Sequence, residues 1–496
     1  MKRIVAGSLG VVALALGVQA AGGRGGAGGA GAVGGTGSGT TGSVAIGLEK
    51  DEILPPEIRT SLGVMPGPEG LPVRRELPDV LTMNDGTKVT TAEQWGKRRE
   101  EMRKILEYYA VGQAPPAPEN LKATVLNTQE VGNGKYRYRL IRLTFGPAGK
   151  PEACAMEFGL WTPLDQAGLK IAPVGVIICQ DGSAPGAAAL PRLPQGVNQG
   201  KGQDVFSAAL APLPKEAPVS TDGAAGGAVG GRGRGGNAEA AVANQVMSHG
   251  YAYVTYNAGD CAEDTTARMP DGTFAFRTTR FFPAYPNYDW GVLRAWAWGA
   301  SRIVDYLVTD PAIDKTKIAI TGVSRNGKSA LIAGAFDDRI TLVAPVASSG
   351  GGTPAFRFSG FEHGGNEGLS EMVRKYPNWF SPHLHAFFHQ AEKLPFDNHW
   401  YLALCAPRAV IALEGTMDQN VNKVGVRQSF LAALPAFELL GVKERLGVNW
   451  SNRPHGLVQG DWDGLFGMAE KVWEGKDVGR RFDAFPEGAM VGAAQN

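Results

Sequence analysis

An excess of charge of either sign is missing from this chain. Its 49 lysines and arginines stand against 48 aspartates and glutamates in 496 residues, a net charge of +1. A balanced chain has no field with which to gather a polyanion, so nucleic acid is not an expected partner. Cysteine is scarce: only Cys154, Cys179, Cys261 and Cys405 are present, without the paired spacing of a zinc site. Disulfides and buried free thiols are both open for them, since Cys179 and Cys405 lie in apolar runs. Histidine is rare as well. His383, His385 and His389 cluster, but no Glu accompanies them in an H-E-x-x-H arrangement, so a half-buried helix is the expected reading and no metal or cofactor is expected. Beyond the first twenty residues no apolar stretch is long enough to span a bilayer, and no internal repeat is visible.

What is present begins with a basic pair, Lys2-Arg3, an apolar stretch from Ile4 to Val18 and a small-residue cleavage site, Val18-Gln19-Ala20. This reads as a secretory signal over 1–20 and implies a secreted or periplasmic protein with no membrane span in its mature form. Residues 21–53 are Gly-rich and bury too little apolar surface to offset ordering entropy, so a disordered tether is expected there. A second Gly/Ala-rich stretch, at about 214–243, contains Gly231-Arg232-Gly233-Arg234-Gly235-Gly236. Arg-Gly runs can bind nucleic acid, but the charge balance and the export signal favour a flexible surface insertion. The folded part is expected as one catalytic domain over 54–485.

Within it, Thr91 and Gln94 form a capping box for a helix through Trp95 to Tyr109, and Pro115-Pro116 closes that segment. Tyr136 to Phe145 and Ala153 to Trp161 read as strands. The apolar runs Pro173 to Cys179 and Tyr251 to Tyr256 read as buried strands. Apolar residues recur at helical spacing from Asp289 to Leu307. Strands at Ile318 to Ser324, Leu342 to Val346, Ala409 to Leu413 and Leu446 to Trp450 then alternate with helices, one of them Gln428 to Leu440. That alternation predicts a three-layer α/β sandwich with a mostly parallel central sheet.

One segment carries chemistry. Thr321-Gly322-Val323-Ser324-Arg325-Asn326-Gly327-Lys328 follows an apolar strand and precedes an Ala-rich helical stretch. Strand, tight turn and helix is the setting in which an α/β-hydrolase holds its nucleophilic serine. Asn326 stands where the common G-x-S-x-G pattern has its second Gly. A serine hydroxyl needs a base, and the base needs an acid, in the chain order Ser, acid, His. His455, in the loop Asn452 to Leu457 after the last strand, is the expected base. Asp418, past the end of the Ala409 strand, is the expected acid, with Glu414 as the alternative.

Ser324-Arg325-Asn326-Gly327-Lys328 resembles the G-x-S-R-x-G-K signature of the glucuronoyl esterases, carbohydrate esterase family 15. The segments Leu81 to Val89, Tyr376-Pro377-Asn378-Trp379-Phe380, Leu394 to His399 and Ala406-Pro407-Arg408 also resemble bacterial members, in family order. The resemblance implies an α/β-hydrolase fold and hydrolysis of the ester between 4-O-methyl-glucuronic acid on xylan and a lignin alcohol. It implies Ser324 as nucleophile, His455 as base and Arg325 in the oxyanion hole, with Lys328, Glu367 and Trp379 contacting the sugar. Two departures stand out. Ser348, in Val346-Ala347-Ser348-Ser349-Gly350, occupies the place where many members carry their catalytic Glu. Gln419 to Asn422 lacks the Trp that commonly follows the alternative acid. The expected protein is an exported serine esterase, a monomer without cofactor, acting on glucuronoxylan or lignin-carbohydrate esters. Another carbohydrate esterase, such as an acetyl-xylan deacetylase, and an inactive polysaccharide-binding relative are the alternatives.

Overall fold

Short apolar runs rich in β-branched residues build the sheet. The computed structural model describes residues 57–164, 172–182, 184–188, 236–359 and 367–489. The expected signal, the tether and most of the Gly/Ala-rich insertion lie outside the described residues. All described residues belong to one unit, Ile53–Asn496. Chain order gives α1 (Ala92–Leu106), then β1 (Lys122–Val131), β2 (Tyr136–Phe145), β3 (Cys154–Pro163) and β4 (Val174–Cys179). After α2 (Gly236–Ser248) and β5 (Ala252–Tyr256) come α3 (Val292–Leu307), β6 (Ile313–Val323), α4 (Arg325–Phe336) and β7 (Leu342–Val346). The remainder is α5 (Leu369–Lys375), α6 (His399–Cys405), β8 (Ala409–Gly415), α7 (Lys423–Leu439), β9 (Leu446–Ser451) and α8 (Gln459–Glu474).

The sheet has nine strands in the order β1-β2-β3-β5-β4-β6-β7-β8-β9. β1, β2, β3 and β5 pair antiparallel, and β5, β4, β6, β7, β8 and β9 pair parallel. The parallel strands are buried on both sides, as the runs β5, β7 and β8 show along their whole length. Alternate residues of β4 separate two cores. Val176 and Ile178 join the cluster built with α1, α3, α4, α6 and α7, whereas Ile177 and Cys179 join the one built with α2 and α8. Helices therefore cover both faces, the expected three-layer sandwich of the α/β-hydrolase fold. Trp296 of α3 is buried in the larger cluster, and truncating such a side chain to Ala costs about 3–5 kcal/mol.

Several elements differ from the sequence reading, each for a local reason. α1 carries the expected capping box, then continues as a wide turn over Glu107–Val111. α3 begins at Val292 rather than Asp289, because Gly291 is pinned: a Cβ there would meet Trp379 O at 2.4 Å. Asp289 instead accepts a hydrogen bond from Gln113 N at 2.7 Å. β6 starts earlier, at Ile313, and α7 starts at Lys423, where Asn422 caps it by accepting from Gly425 N. The strand β1 and the helices α2 and α8 were not anticipated. α2 takes up the end of the stretch read as an insertion. The three neighbouring histidines lie on and just after a short 3-10 turn, Pro382–Phe387, and no cluster of metal-binding side chains occurs among the described residues. All four cysteines are buried. No helix of the described residues is long and apolar enough to cross a membrane.

Candidate active site

Because β6, β7, β8 and β9 run parallel, their C-terminal ends share one edge of the sheet. Loops leaving that edge carry the candidate residues: Ser324 after β6, Asp418 after β8 and His455 after β9. Backbone hydrogen bonds stitch the edge together. Ser324 N donates to Val346 O at 2.8 Å, Ala347 N to Leu413 O at 2.9 Å, Thr416 N to Ser451 O at 2.9 Å and Met417 N to Arg453 O at 3.1 Å.

Ser324 sits at φ 60°, ψ −121°, a conformation costly for a residue with a Cβ. Such strain at a strand-to-helix turn is how a nucleophilic serine is lifted clear of the sheet. The turn closes only because of two glycines. A Cβ on Gly322 would meet the Asn326 carbonyl at 2.8 Å, and one on Gly327 would meet Val346 O at 2.7 Å. Asn326, the departure from the usual pattern, braces the turn. Its Nδ2 donates to Asp181 Oδ1 at 2.8 Å, while Asp181 Oδ2 accepts from Val323 N at 2.8 Å. The turn is thereby tied to the end of β4. Behind Ser324 stands the N-terminus of α4, whose free N–H groups favour negative charge.

His455 Nδ1 lies 2.8 Å from Asp418 Oδ2, and the Asp418 side chain is wholly buried. The imidazole is one-third exposed and so reachable from solvent. Its loop is held by Arg453 and Asp461, both buried. Arg453 Nε donates to Asp461 Oδ2 at 2.6 Å, Nη2 to Leu413 O at 3.1 Å and Nη1 to Pro454 O at 3.1 Å. One guanidinium thus fastens the His455 loop to the end of β8, from which the Asp418 loop leaves. His455 is also close enough to Glu367 to help hold that carboxylate below its usual range.

Glu414, the alternative acid, points elsewhere. It is fully buried and accepts a hydrogen bond from Thr353 Oγ1, which also lies 2.8 Å from Ser348 Oγ. Burial pushes its carboxyl up to about 8, so it is neutral at pH 7. The structure joins Asp418 to His455 instead.

Around Ser324 the remaining expected residues come together. Lys328, one turn along α4, is wholly buried: its Nζ lies 3.0 Å from Ser349 Oγ and 3.1 Å from Glu367 Oε2. Burial lowers its pKa, opposed by Glu367, whose own pKa is lowered despite burial by Lys328 and Ser349. Of this pair only Glu367 reaches solvent, with 14% of its side chain exposed. Trp379 is 3% exposed, with Tyr376 stacked on it at 3.9 Å. Its ring forms a wall 5.5 Å from Lys328 Nζ and 5.9 Å from the Arg325 guanidinium. Arg325 pairs with Asp264, which also accepts from Trp379 Nε1 at 2.6 Å and Asn378 Nδ2 at 3.1 Å. Asp264, Asp181 and Arg453 were missed in the sequence. Each acts through a partner far away along the chain, and no local pattern marks such residues.

A strained serine at a parallel strand end, a His–Asp pair on the following strands and helices on both faces define an α/β-hydrolase. A family model described as glucuronyl esterase of fungi matches residues 236–441. The carbohydrate esterase MZ0003 of an unknown prokaryotic organism is 29% identical over 413 residues, which is 78% of this chain and 87% of that protein. A 4-O-methyl-glucuronoyl methylesterase of Hypocrea jecorina is 28% identical over 393 residues, 77% of this chain and 66% of that one. The solved glucuronoyl esterase of Caldicellulosiruptor kristjansonii superposes with a TM-score of 0.59 at 28% identity, covering 85% of this chain and 98% of that one. Over most of its length the chain is thus similar to glucuronoyl esterases of carbohydrate esterase family 15.

Proposed function

We propose that the protein is an exported serine esterase that hydrolyses esters of glucuronic acid or its 4-O-methyl ether. The observation that carries this reading is the pairing of a strained Ser324 with a His455–Asp418 couple on the same sheet edge. Asp418 fixes the imidazole so that Nε2 is free to take the Ser324 proton. The serine oxygen then attacks the ester carbonyl. The charge that develops on the carbonyl oxygen meets the Arg325 backbone N–H at the head of α4 and the nearby guanidinium. His455 returns the proton to the departing alcohol, leaving an acyl-serine. Water, deprotonated by His455, attacks it and releases the carboxylic acid and the free serine. Glu367 is the polar group placed to meet sugar hydroxyls, held in its charged form by the buried Lys328. The preference for an acidic sugar is supported by the part-exposed guanidinium of Arg325, the residue after Ser324, and by the names of the relatives, two of which refer to glucuronoyl esters. Export rests on the signal-like first twenty residues. Turnover of benzyl glucuronate by the purified protein tests the reading. Hydrolysis of the glucuronate ester well above that of acetylated xylan supports it, and preferential release of acetate would replace it with the deacetylase reading.

A further inference from the structure

Asp264 accepts hydrogen bonds from three side chains on two separate segments: Arg325 on α4, and Asn378 and Trp379 on the loop before residue 382. Only 17% of its side chain is exposed, against 42% for Arg325. It is thus a half-buried anion paired with the guanidinium of Arg325, the residue that follows the proposed nucleophile in the chain. The reaction proposed above makes a specific demand on that guanidinium. It must stabilise a transient oxyanion, yet it must not hold the carboxylate that hydrolysis leaves behind. An unpaired arginine beside the serine would favour both anions. A fixed counter-charge discriminates between them, because the oxyanion is covalently held close to the helix N-terminus while the product is free to leave.

We propose that Asp264 is a positioning residue that orients Arg325 and, as its counter-charge, weakens binding of the acid product. Indole and amide donors hold the carboxylate, so its bond to Arg325 sets where the guanidinium points. The inference rests on the esterase reading for its meaning but not for its test. Asp264→Asn removes the charge and keeps the shape, Asp264→Ser is a second neutral variant that guards against a packing effect of the amide, and Asp264→Glu keeps the charge. Equilibrium binding of free glucuronate is measured by tryptophan fluorescence at fixed ionic strength, with glucose as the neutral control, beside kcat and KM on benzyl glucuronate. Coulomb interaction over roughly 7 Å at the effective dielectric of a partly exposed site gives an expected tightening of glucuronate binding of about threefold to tenfold in both neutral variants. Glucose binding stays unchanged, kcat falls, and Asp264→Glu behaves like the parent. Equal glucuronate affinity in parent and neutral variants, or the same change in Asp264→Glu, would overturn the inference. A parent protein inactive on benzyl glucuronate would overturn the esterase reading instead, while the affinity comparison still decides the role of Asp264.

Discussion

Glu414→Gln isolates the electrostatic cost buried beneath the site. The carboxyl is fully enclosed, its Oε1 meets Thr353 Oγ1, and its Oε2 has no hydrogen-bond partner among the described residues. Burial, the largest cause, raises its pKa from 4.5 to about 8. The folded protein therefore binds one more proton than the unfolded chain between those values. Stability from this group is full below pH 4.5 and is lost as pH rises through 8. At about 1.4 kcal/mol for each pH unit, the loss is bounded at about 5 kcal/mol. Glutamine keeps the shape and offers the same acceptor to Thr353 but cannot ionise. Urea unfolding of both proteins at pH 5, 7 and 9 is the assay. The stability difference should shift steadily in favour of the variant as pH rises, by several kcal/mol in all. Parallel curves across this range would mean that Glu414 is charged in the fold or already relieved by water, and the reasoning would fail.

Asp418→Asn should lower kcat on a glucuronate ester by about 10³–10⁴-fold with KM little changed, because the amide no longer selects the working tautomer of His455; steady-state kinetics check this, and a change below tenfold would remove Asp418 from the acid role. Gly327→Ala forces a methyl group to within 2.7 Å of Val346 O, so the Ser324 turn must open. Loss of activity together with a lowered melting temperature is expected, and a variant that keeps both would show that the turn has room to give.

The sheet was legible because its strands are continuous apolar runs, and Val174–Cys179 or Leu342–Val346 have no other comfortable place than a covered parallel sheet. Ser324 was legible for the same local reason: glycines flanking a strand-to-helix junction. The unanticipated β1 is an edge strand with a mostly exposed, polar pattern, which gives little periodicity to read. In α8 the glycines hid the helix; Gly464 is there because a Cβ would meet the Asn449 side chain at 2.9 Å, a contact made across the fold. Asp418 lies past the end of β8 and meets His455, whereas Glu414 lies within the strand and meets Thr353. The contacts of Arg453 with Leu413 and Asp461, which hold the His455 loop, are ones that no local pattern discloses.

The most direct test is to label the nucleophile covalently. Incubating the protein with a fluorophosphonate ester, then digesting it for mass spectrometry, should place a single covalent adduct on Ser324, with labelling strongly slowed in His455→Ala and abolished in Ser324→Ala. Labelling of Ser324→Ala at a comparable rate, or of the parent at a different serine, would contradict the assignment of Ser324 as the nucleophile.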